Sequence, residues 1–138
     1  MSLKLKYFTV EEAESLLPKI SEVLRSALET KIRIELKIEE WRKVHGQISD
    51  AEDALFRGQV DFLAAHLEKQ LSSVTEMGAI PKDLESGLID FPARVGDREG
   101  YLCWKLEEPR ITHWHGLTEG FGGRKPLVAE GKNEKKRG

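Results

Sequence analysis

The chain has 138 residues, with 22 basic and 24 acidic side chains that give a formal net charge of −2. This length predicts a single domain, and the lack of a basic excess argues against a dedicated nucleic-acid binder. No segment approaches the roughly 18 consecutive apolar residues of a membrane helix, and the single cysteine, Cys103, excludes an internal disulfide.

The two ends of the sequence indicate where the protein is located and whether it binds membranes or nucleic acid. The N-terminal sequence MSLKLKYFTVEE lacks the apolar core and the small-residue cleavage site of a secretory signal peptide. A lone cysteine also fits a reducing compartment, so we expect a cytoplasmic protein that does not associate with membranes. Nucleic acid is an unlikely partner, because the basic residues of the tail would bind it only weakly. These residues are Lys132, Lys135, Lys136 and Arg137.

The first predicted element is a long helix over residues 10–45. Thr9 and Glu12 have the spacing of a capping box, which marks the start of this helix. Apolar residues then recur at alternating steps of three and four, which indicates a coiled-coil seam with Lys31 as a polar interruption. The seam consists of Ala13, Leu17, Ile20, Leu24, Ala27, Ile34, Ile38 and Trp41.

A second, shorter helix is predicted over about residues 50–77. Ser49 and Glu52 form another capping box, and Gly78 ends the apolar periodicity. A tight turn between the helices makes an antiparallel hairpin, which leaves the first turns of the longer helix without a helical partner. The seam also predicts a homodimer in which two hairpins make a four-helix arrangement.

Residues 79–116 are predicted to form an antiparallel β-meander. Short β-type segments at 79–84, 88–94, 99–107 and 110–115 are separated by turns that contain Gly or Pro. A Gly-rich closing loop follows at 117–127, and 128–138 is predicted to be a flexible tail. The fold class is therefore α+β: a long antiparallel helical hairpin, followed by a small β-meander packed on the N-terminal end of the first helix, in one domain over residues 1–127.

The chain resembles the domain of unknown function 2203 family, a group of small uncharacterised prokaryotic proteins, from Lys6 to Leu127. The matching segments are Tyr7-Phe8-Thr9, Glu11-Glu12-Ala13, Leu16-Leu17-Pro18, Lys82-Asp83-Leu84, Gly87-Leu88-Ile89-Asp90-Phe91-Pro92, Tyr101-Leu102-Cys103-Trp104-Lys105-Leu106, Glu108-Pro109, Trp114-His115, Gly120-Phe121 and Gly123-Arg124. His113, Gly116 and Gly122 depart from the family pattern. The resemblance implies a shared fold and carries no established activity.

Two histidines on the last predicted strand are candidate metal ligands. His113 and His115 are two residues apart, so both side chains project to the same side of a strand. Such a pair binds a divalent transition metal if carboxylates complete the site. Asp90, Glu119 or the Glu11-Glu12 pair are the candidates. The alternative is that His115 hydrogen-bonds a backbone carbonyl or a carboxylate while His113 is exposed.

Three further residues are candidates for ligand binding together with His115. Asp90 lies in a half-buried strand, where a carboxylate either acts on a ligand or pairs with a cation such as Arg124. Arg124 follows a Gly-rich loop whose backbone N–H groups are able to cradle an anion. Trp104 offers an aromatic surface but also suits the core. Cys103 has no recognisable motif around it and is expected to be a buried structural thiol.

Two functional hypotheses follow from these patterns. The first is a non-enzymatic ligand-binding or protein-interaction module that self-associates through its helical hairpin. The second is a small metal-assisted hydrolase, with a site where the N-terminal end of the first helix meets the β-meander. No complete catalytic motif is present in the sequence, which favours the first hypothesis.

Overall fold

A computed structural model describes residues 6–127, and the predicted tail at 128–138 lies outside the described residues. Helix α1 spans Val10–Val44 and helix α2 spans Asp50–Glu76, with a 3-10 turn at His45–Gln47 between them. The helices form the predicted antiparallel hairpin. Neither of them combines enough length with enough apolar character to cross a bilayer.

Both helices begin at the predicted capping boxes. The hydroxyl of Thr9 accepts the N–H of Glu12 at 3.0 Å, and the Glu12 carboxylate accepts the N–H of Thr9. Ser49 and Glu52 repeat this reciprocal pair at the start of α2. These bonds satisfy backbone donors that a helix start leaves free, which explains why the two starts were predictable.

A five-stranded antiparallel sheet follows α2, and its strands lie in chain order. They are β1 (Ile80–Asp83), β2 (Leu88–Val95), β3 (Arg98–Lys105), β4 (His113–Gly116) and β5 (Lys125–Pro126). Each strand pairs with the next, which confirms the meander. The predicted closing loop contributes β5. This strand has only two residues, so it is too short to show a periodic pattern in the sequence.

The sheet covers the beginning of α1, as the unequal helix lengths predicted. One continuous core joins the first turns of α1 to one face of the sheet. Its members include Leu17, Ile20 and Leu24 from α1, Val74 from α2, and Ile89, Phe91, Leu102, Trp104 and Trp114 from the sheet. Burial of this apolar surface holds the helices and the sheet together.

The segment before α1 closes one edge of the sheet. Pro92 in β2 lies beyond the end of β1, where its missing N–H leaves no ladder bond unmade. The Phe8 N–H donates to the Pro92 carbonyl at 2.8 Å, and the Phe8 ring packs edge-on against Phe91 at 5.3 Å. The start of α1 is thereby fixed against β2.

Within residues 6–127, no third layer covers the far end of the helical hairpin. Burial along α1 ends at Thr30, although the apolar seam continues beyond it. Residues 31–63 form what we call the distal hairpin, and Leu63 is its one buried residue in the described chain. Two helices alone do not enclose a core, so this part of the seam stays half-exposed.

Candidate functional site

The candidate site lies on the face of the sheet that points away from the hydrophobic core. Strand alternation sends Leu102 and Trp104 into the core and Cys103 to the opposite face. We call this opposite face the outer face. Asp90 on β2 is paired with Cys103 on β3, so both residues point to it. His115 on β4 is paired with Tyr101 and points the same way.

Asp90 and His115 form a buried hydrogen bond across strand β3. The His115 Nε2 atom lies 3.0 Å from Oδ2 of Asp90, and the two residues are 4% and 2% exposed, respectively. The other ring nitrogen, Nδ1, lies 3.0 Å from the carbonyl oxygen of Gly116. Because a carbonyl only accepts, Nδ1 carries a proton. The second carboxylate oxygen of Asp90, Oδ1, is buried without a hydrogen-bond partner in the described chain.

Cys103 completes a compact cluster with these two residues. One potential ligand atom from each of Asp90, Cys103 and His115 lies within 4.8 Å of the other two. Burial raises the pKa of the Cys103 thiol to about 11, and the Asp90 carboxylate adds to this effect, while the Arg124 guanidinium opposes it. The free thiol is therefore protonated at neutral pH. A nucleophilic thiolate requires a lowered pKa, so the raised pKa of Cys103 does not favour thiol catalysis.

Comparison with known protein families identifies the relationship of the chain. The family model described as "Uncharacterized conserved protein (DUF2203)" matches residues 6–127. The chain belongs to the DUF2203 family. No curated protein and no solved structure matches it. Membership confirms the resemblance seen in the sequence, and the function of this DUF2203 chain has to be argued from its own residues.

Arg124 lies beside the cluster and is held by a carboxylate. Its Nη2 atom donates to both oxygens of Glu108 at 3.3 Å and to the carbonyl oxygen of Cys103 at 3.4 Å. The N–H groups of Gly123 and Arg124 close a 3-10 turn on the carbonyls of Gly120 and Phe121. These two backbone donors of the predicted anion cradle are therefore already used, whereas the Nε atom of Arg124 is buried without a hydrogen-bond partner among the described residues.

Trp104 does not share the face of the other candidates. It is 1% exposed and belongs to the core, where its indole N–H donates to the carbonyl oxygen of Glu108 at 2.8 Å. Alternation along β3 places Trp104 and Cys103 on opposite faces. Trp104 therefore packs in the core and does not lie beside Asp90 and His115, where the sequence predicted it to help bind a ligand.

His113 lies on the outer face but outside the cluster. It is paired with Cys103 in the sheet register, and its Nδ1 atom lies 2.9 Å from the hydroxyl of the neighbouring Thr112. His115 instead turns toward Asp90. The two histidines therefore share a face, as alternation predicted, while the compact set of potential ligands in the described residues contains only His115.

The acidic start of α1 is also used elsewhere. The Glu12 carboxylate is occupied by its capping box, and Glu11 is exposed. Glu14 accepts the backbone N–H of Ile111 at 2.8 Å, which anchors the segment before β4. Because Asp90 points away from α1, the structure does not assemble the predicted site at the helix–meander junction.

The sequence analysis missed Cys103 as a member of the site. No local motif marks this residue, and its role depends on which residue of β2 it faces. The exact register, Asp90 opposite Cys103, would have revealed the pair. Alternation alone does not supply that register, because the hairpin turn at residues 96–97 sets it.

Proposed function

We propose that this DUF2203 protein is a non-enzymatic binding module that self-associates through the distal hairpin and holds a ligand on the outer face of its sheet. The two parts of the proposal rest on separate regions of the chain. Self-association rests on the uncovered helices, and ligand binding rests on the buried polar cluster.

The observation that carries self-association is the end of burial at Thr30. Ile34, Ile38 and Trp41 continue the seam of α1, yet each remains partly exposed in the single chain. Hydrophobic positions maintained along a helix without burial are typical of a surface that packs against another helix pair. A second copy of the chain brings the same apolar surface, so a symmetric pair of hairpins covers both.

One side of the distal hairpin presents the most exposed apolar residues. Phe62 is 73% exposed and Leu55 is 62% exposed. They lie seven residues apart, which is two helical turns, so they share a face of α2. Both line a groove between the helices that Leu63 also borders. Ile38 and Trp41 of the seam line a separate groove. We assign the groove that carries the two more exposed side chains as the contact with the second copy.

The size of this surface sets the expected affinity. The distal hairpin is about 20 Å long and two helices, or about 20 Å, wide. Its face then amounts to about 400 Å² per copy in projection, or about 800 Å² for the pair, which is below the roughly 1,200 Å² of stable specific interfaces and typical of weak, transient ones. We therefore expect a reversible dimer with a dissociation constant in the micromolar range.

Sedimentation velocity on the full chain, over about 1–200 μM, tests self-association. The wild-type chain is expected to shift from monomer to dimer across this range. Phe62→Lys is expected to raise the dissociation constant at least about tenfold, because burial of a Phe side chain contributes about 1.5–3 kcal/mol.

Ile32→Lys is the matched control for this experiment. Ile32 is 54% exposed, but it does not line the assigned groove. It is turned about 100° from Arg33 and about 140° from Lys37, which line the α1 side of that groove. Its substitution is expected to leave the dissociation constant unchanged. A wild-type chain that stays monomeric throughout, or a Phe62→Lys variant that dimerises like the wild type, would contradict the proposal.

The burial of the polar cluster favours binding over catalysis. Asp90, Cys103 and His115 are at most 4% exposed, so a substrate has no direct approach to them in this conformation. A hydrolase also needs a path for substrate and water to the reacting groups. For the alternative, a metal-assisted hydrolase, the buried cluster supports metal binding but not hydrolysis. Metal binding is equally compatible with a non-enzymatic binding module.

A further inference from the structure

We infer that Asp90, Cys103 and His115 form a binding site for a divalent transition metal, and that Zn²⁺ is the ion that their donor set fits best. This inference deepens the ligand-binding part of the proposed function and is independent of self-association. It replaces the predicted pairing of His113 with His115 by a set in which Cys103 takes the place of His113.

Each of three adjacent strands supplies one of the proposed ligands. Asp90 comes from β2, Cys103 from β3 and His115 from β4. The sheet ladders fix these strands relative to one another, so the ligands are positioned by rigid elements and not by a loop. Their potential ligand atoms lie within 4.8 Å of one another. Ligand distances of 2.0–2.3 Å in a tetrahedral zinc site require separations of about 3.3–3.7 Å, which modest side-chain adjustments reach.

The hydrogen bonds of His115 orient the ring as a metal ligand requires. Nδ1 donates to the carbonyl oxygen of Gly116, so in the neutral ring Nε2 carries the lone pair. Donation of the other ring N–H to a backbone carbonyl is the usual outer-shell arrangement of metal-bound histidine. The lone pair of Nε2 then faces the carboxylate of Asp90 at 3.0 Å. Two lone-pair donors this close require a cation between them, either a proton or a metal ion.

The unpartnered oxygen of Asp90 is the second observation that points to a ligand. Oδ1 is buried and lacks a hydrogen-bond partner in the described chain, and burial of such an atom without a partner costs roughly 1–3 kcal/mol. A divalent ion removes this cost. Thiolate, imidazole and carboxylate together favour Zn²⁺ over Mg²⁺ or Ca²⁺, which prefer oxygen ligands alone.

Metal titration of the full chain, purified without an affinity tag, tests the inference. Co²⁺ serves as the probe, because coordination by a thiolate produces an intense charge-transfer absorption band that the other ligands do not give. We expect one Co²⁺ per chain, the appearance of this band, and its loss when one equivalent of Zn²⁺ is added. The absence of the band in the folded wild-type chain would overturn the inference.

Variants identify the ligands and separate a metal centre from a structural polar cluster. Cys103→Ser keeps the size of the side chain and is expected to abolish the charge-transfer band. It should also weaken Zn²⁺ binding by at least about 100-fold, more than the loss of an outer-shell partner causes. His113→Gln, on the same strand and face, is the matched control and is expected to bind as the wild type does.

Two results with these variants would overturn the assignment. The first is that the Cys103→Ser variant binds Zn²⁺ as tightly as the wild type does. The second is that the His113→Gln variant loses Zn²⁺ binding while the Cys103→Ser variant keeps it. Circular dichroism of each variant shows that it is folded, and the wild-type Co²⁺ spectrum decides the question without any variant. Because sedimentation of the metal-free chain is measured separately, failure of this inference and failure of self-association are distinguishable.

Discussion

At the scale of single residues, the proposed site depends on polar groups that the fold buries. His115 is satisfied on one side by a carbonyl and on the other by Asp90, while one oxygen of Asp90 has no partner in the described residues. The sequence predicted a half-buried strand around Asp90, but Asp90 is only 2% exposed because both faces of β2 are covered. The bonds of His115 to a carbonyl and to a carboxylate are those that the sequence offered as the alternative to a metal site. The contribution of Cys103 was not predictable, because it follows from tertiary geometry and not from a local motif.

Ser86→Ala is expected to destabilise the chain at neutral pH and to lose this effect in acid. The Ser86 hydroxyl and N–H both donate to the Asp83 carboxylate, at 2.6 and 3.2 Å, and these bonds lower the pKa of Asp83 below 3.8. A lowered folded-state pKa contributes stability above the unfolded pKa, and this contribution is lost as the pH falls through the folded value. Without the hydroxyl, the Asp83 pKa rises toward its ordinary value.

Urea unfolding of the variant and the wild type, from about pH 7 down to about pH 3, measures this difference. The gap in unfolding free energy is expected to shrink as the pH falls. Ser72→Ala, an exposed position on α2, is the control and should give a pH-independent difference. A constant gap for Ser86→Ala would contradict the account.

At the scale of elements, local rules predicted the helices well and the sheet edges less well. Both helix starts follow from capping boxes, whose bonds involve residues only three apart. The two long strands follow from their apolar segments and intervening turn. Strand β5 was missed, because its two residues are held by pairing with β4 and not by their own sequence pattern. Trp104 was placed among the ligand candidates because its type suits both a core and a binding surface.

Gly87→Ala is expected to destabilise the turn between β1 and β2. Gly87 has a φ of +68°, and an added Cβ would overlap the side chain of Leu106. The unfavourable backbone conformation and the overlap together should cost about 2–4 kcal/mol. Gly46→Ala is the matched control, since its added Cβ meets nothing within 4 Å.

Chemical denaturation of these two glycine variants provides the measurement. The control is expected to lie within about 0.5 kcal/mol of the wild type. Equal stability of Gly87→Ala and the wild type would mean that the turn is not held in the described conformation.

At the scale of the whole molecule, the two ends of the helical hairpin differ. One end packs against the sheet, and the other is the distal hairpin. The sheet, the first turns of α1 and the last turn of α2 share one core, whereas no other described residues cover the distal hairpin. Sequence periodicity predicted the complete seam but not where its cover stops, because that limit depends on the size and placement of the sheet. We propose that the distal hairpin contacts a second copy of the chain and that the outer face of the sheet binds a metal ion.

Metal binding is expected to stabilise the whole domain, because one ion joins three strands. Free Zn²⁺ at 100 times its dissociation constant should raise the unfolding free energy by about 2.7 kcal/mol if the unfolded chain does not bind it. Thermal unfolding with and without Zn²⁺ measures this shift, and Cys103→Ser should show little of it. An equal shift in both chains would indicate binding elsewhere.

The central claim is that the distal hairpins of two copies pack together, and an isotope-filtered nuclear Overhauser experiment tests it most directly. The sample is an equal mixture of isotope-labelled and unlabelled full chain, above the dissociation constant found by sedimentation. Intermolecular contacts are expected from the ring of Phe62 to the distal hairpin of the second copy, including its Leu55. Intermolecular contacts that arise instead from the exposed Leu117 and Phe121 near the sheet, with none from Phe62, would contradict it.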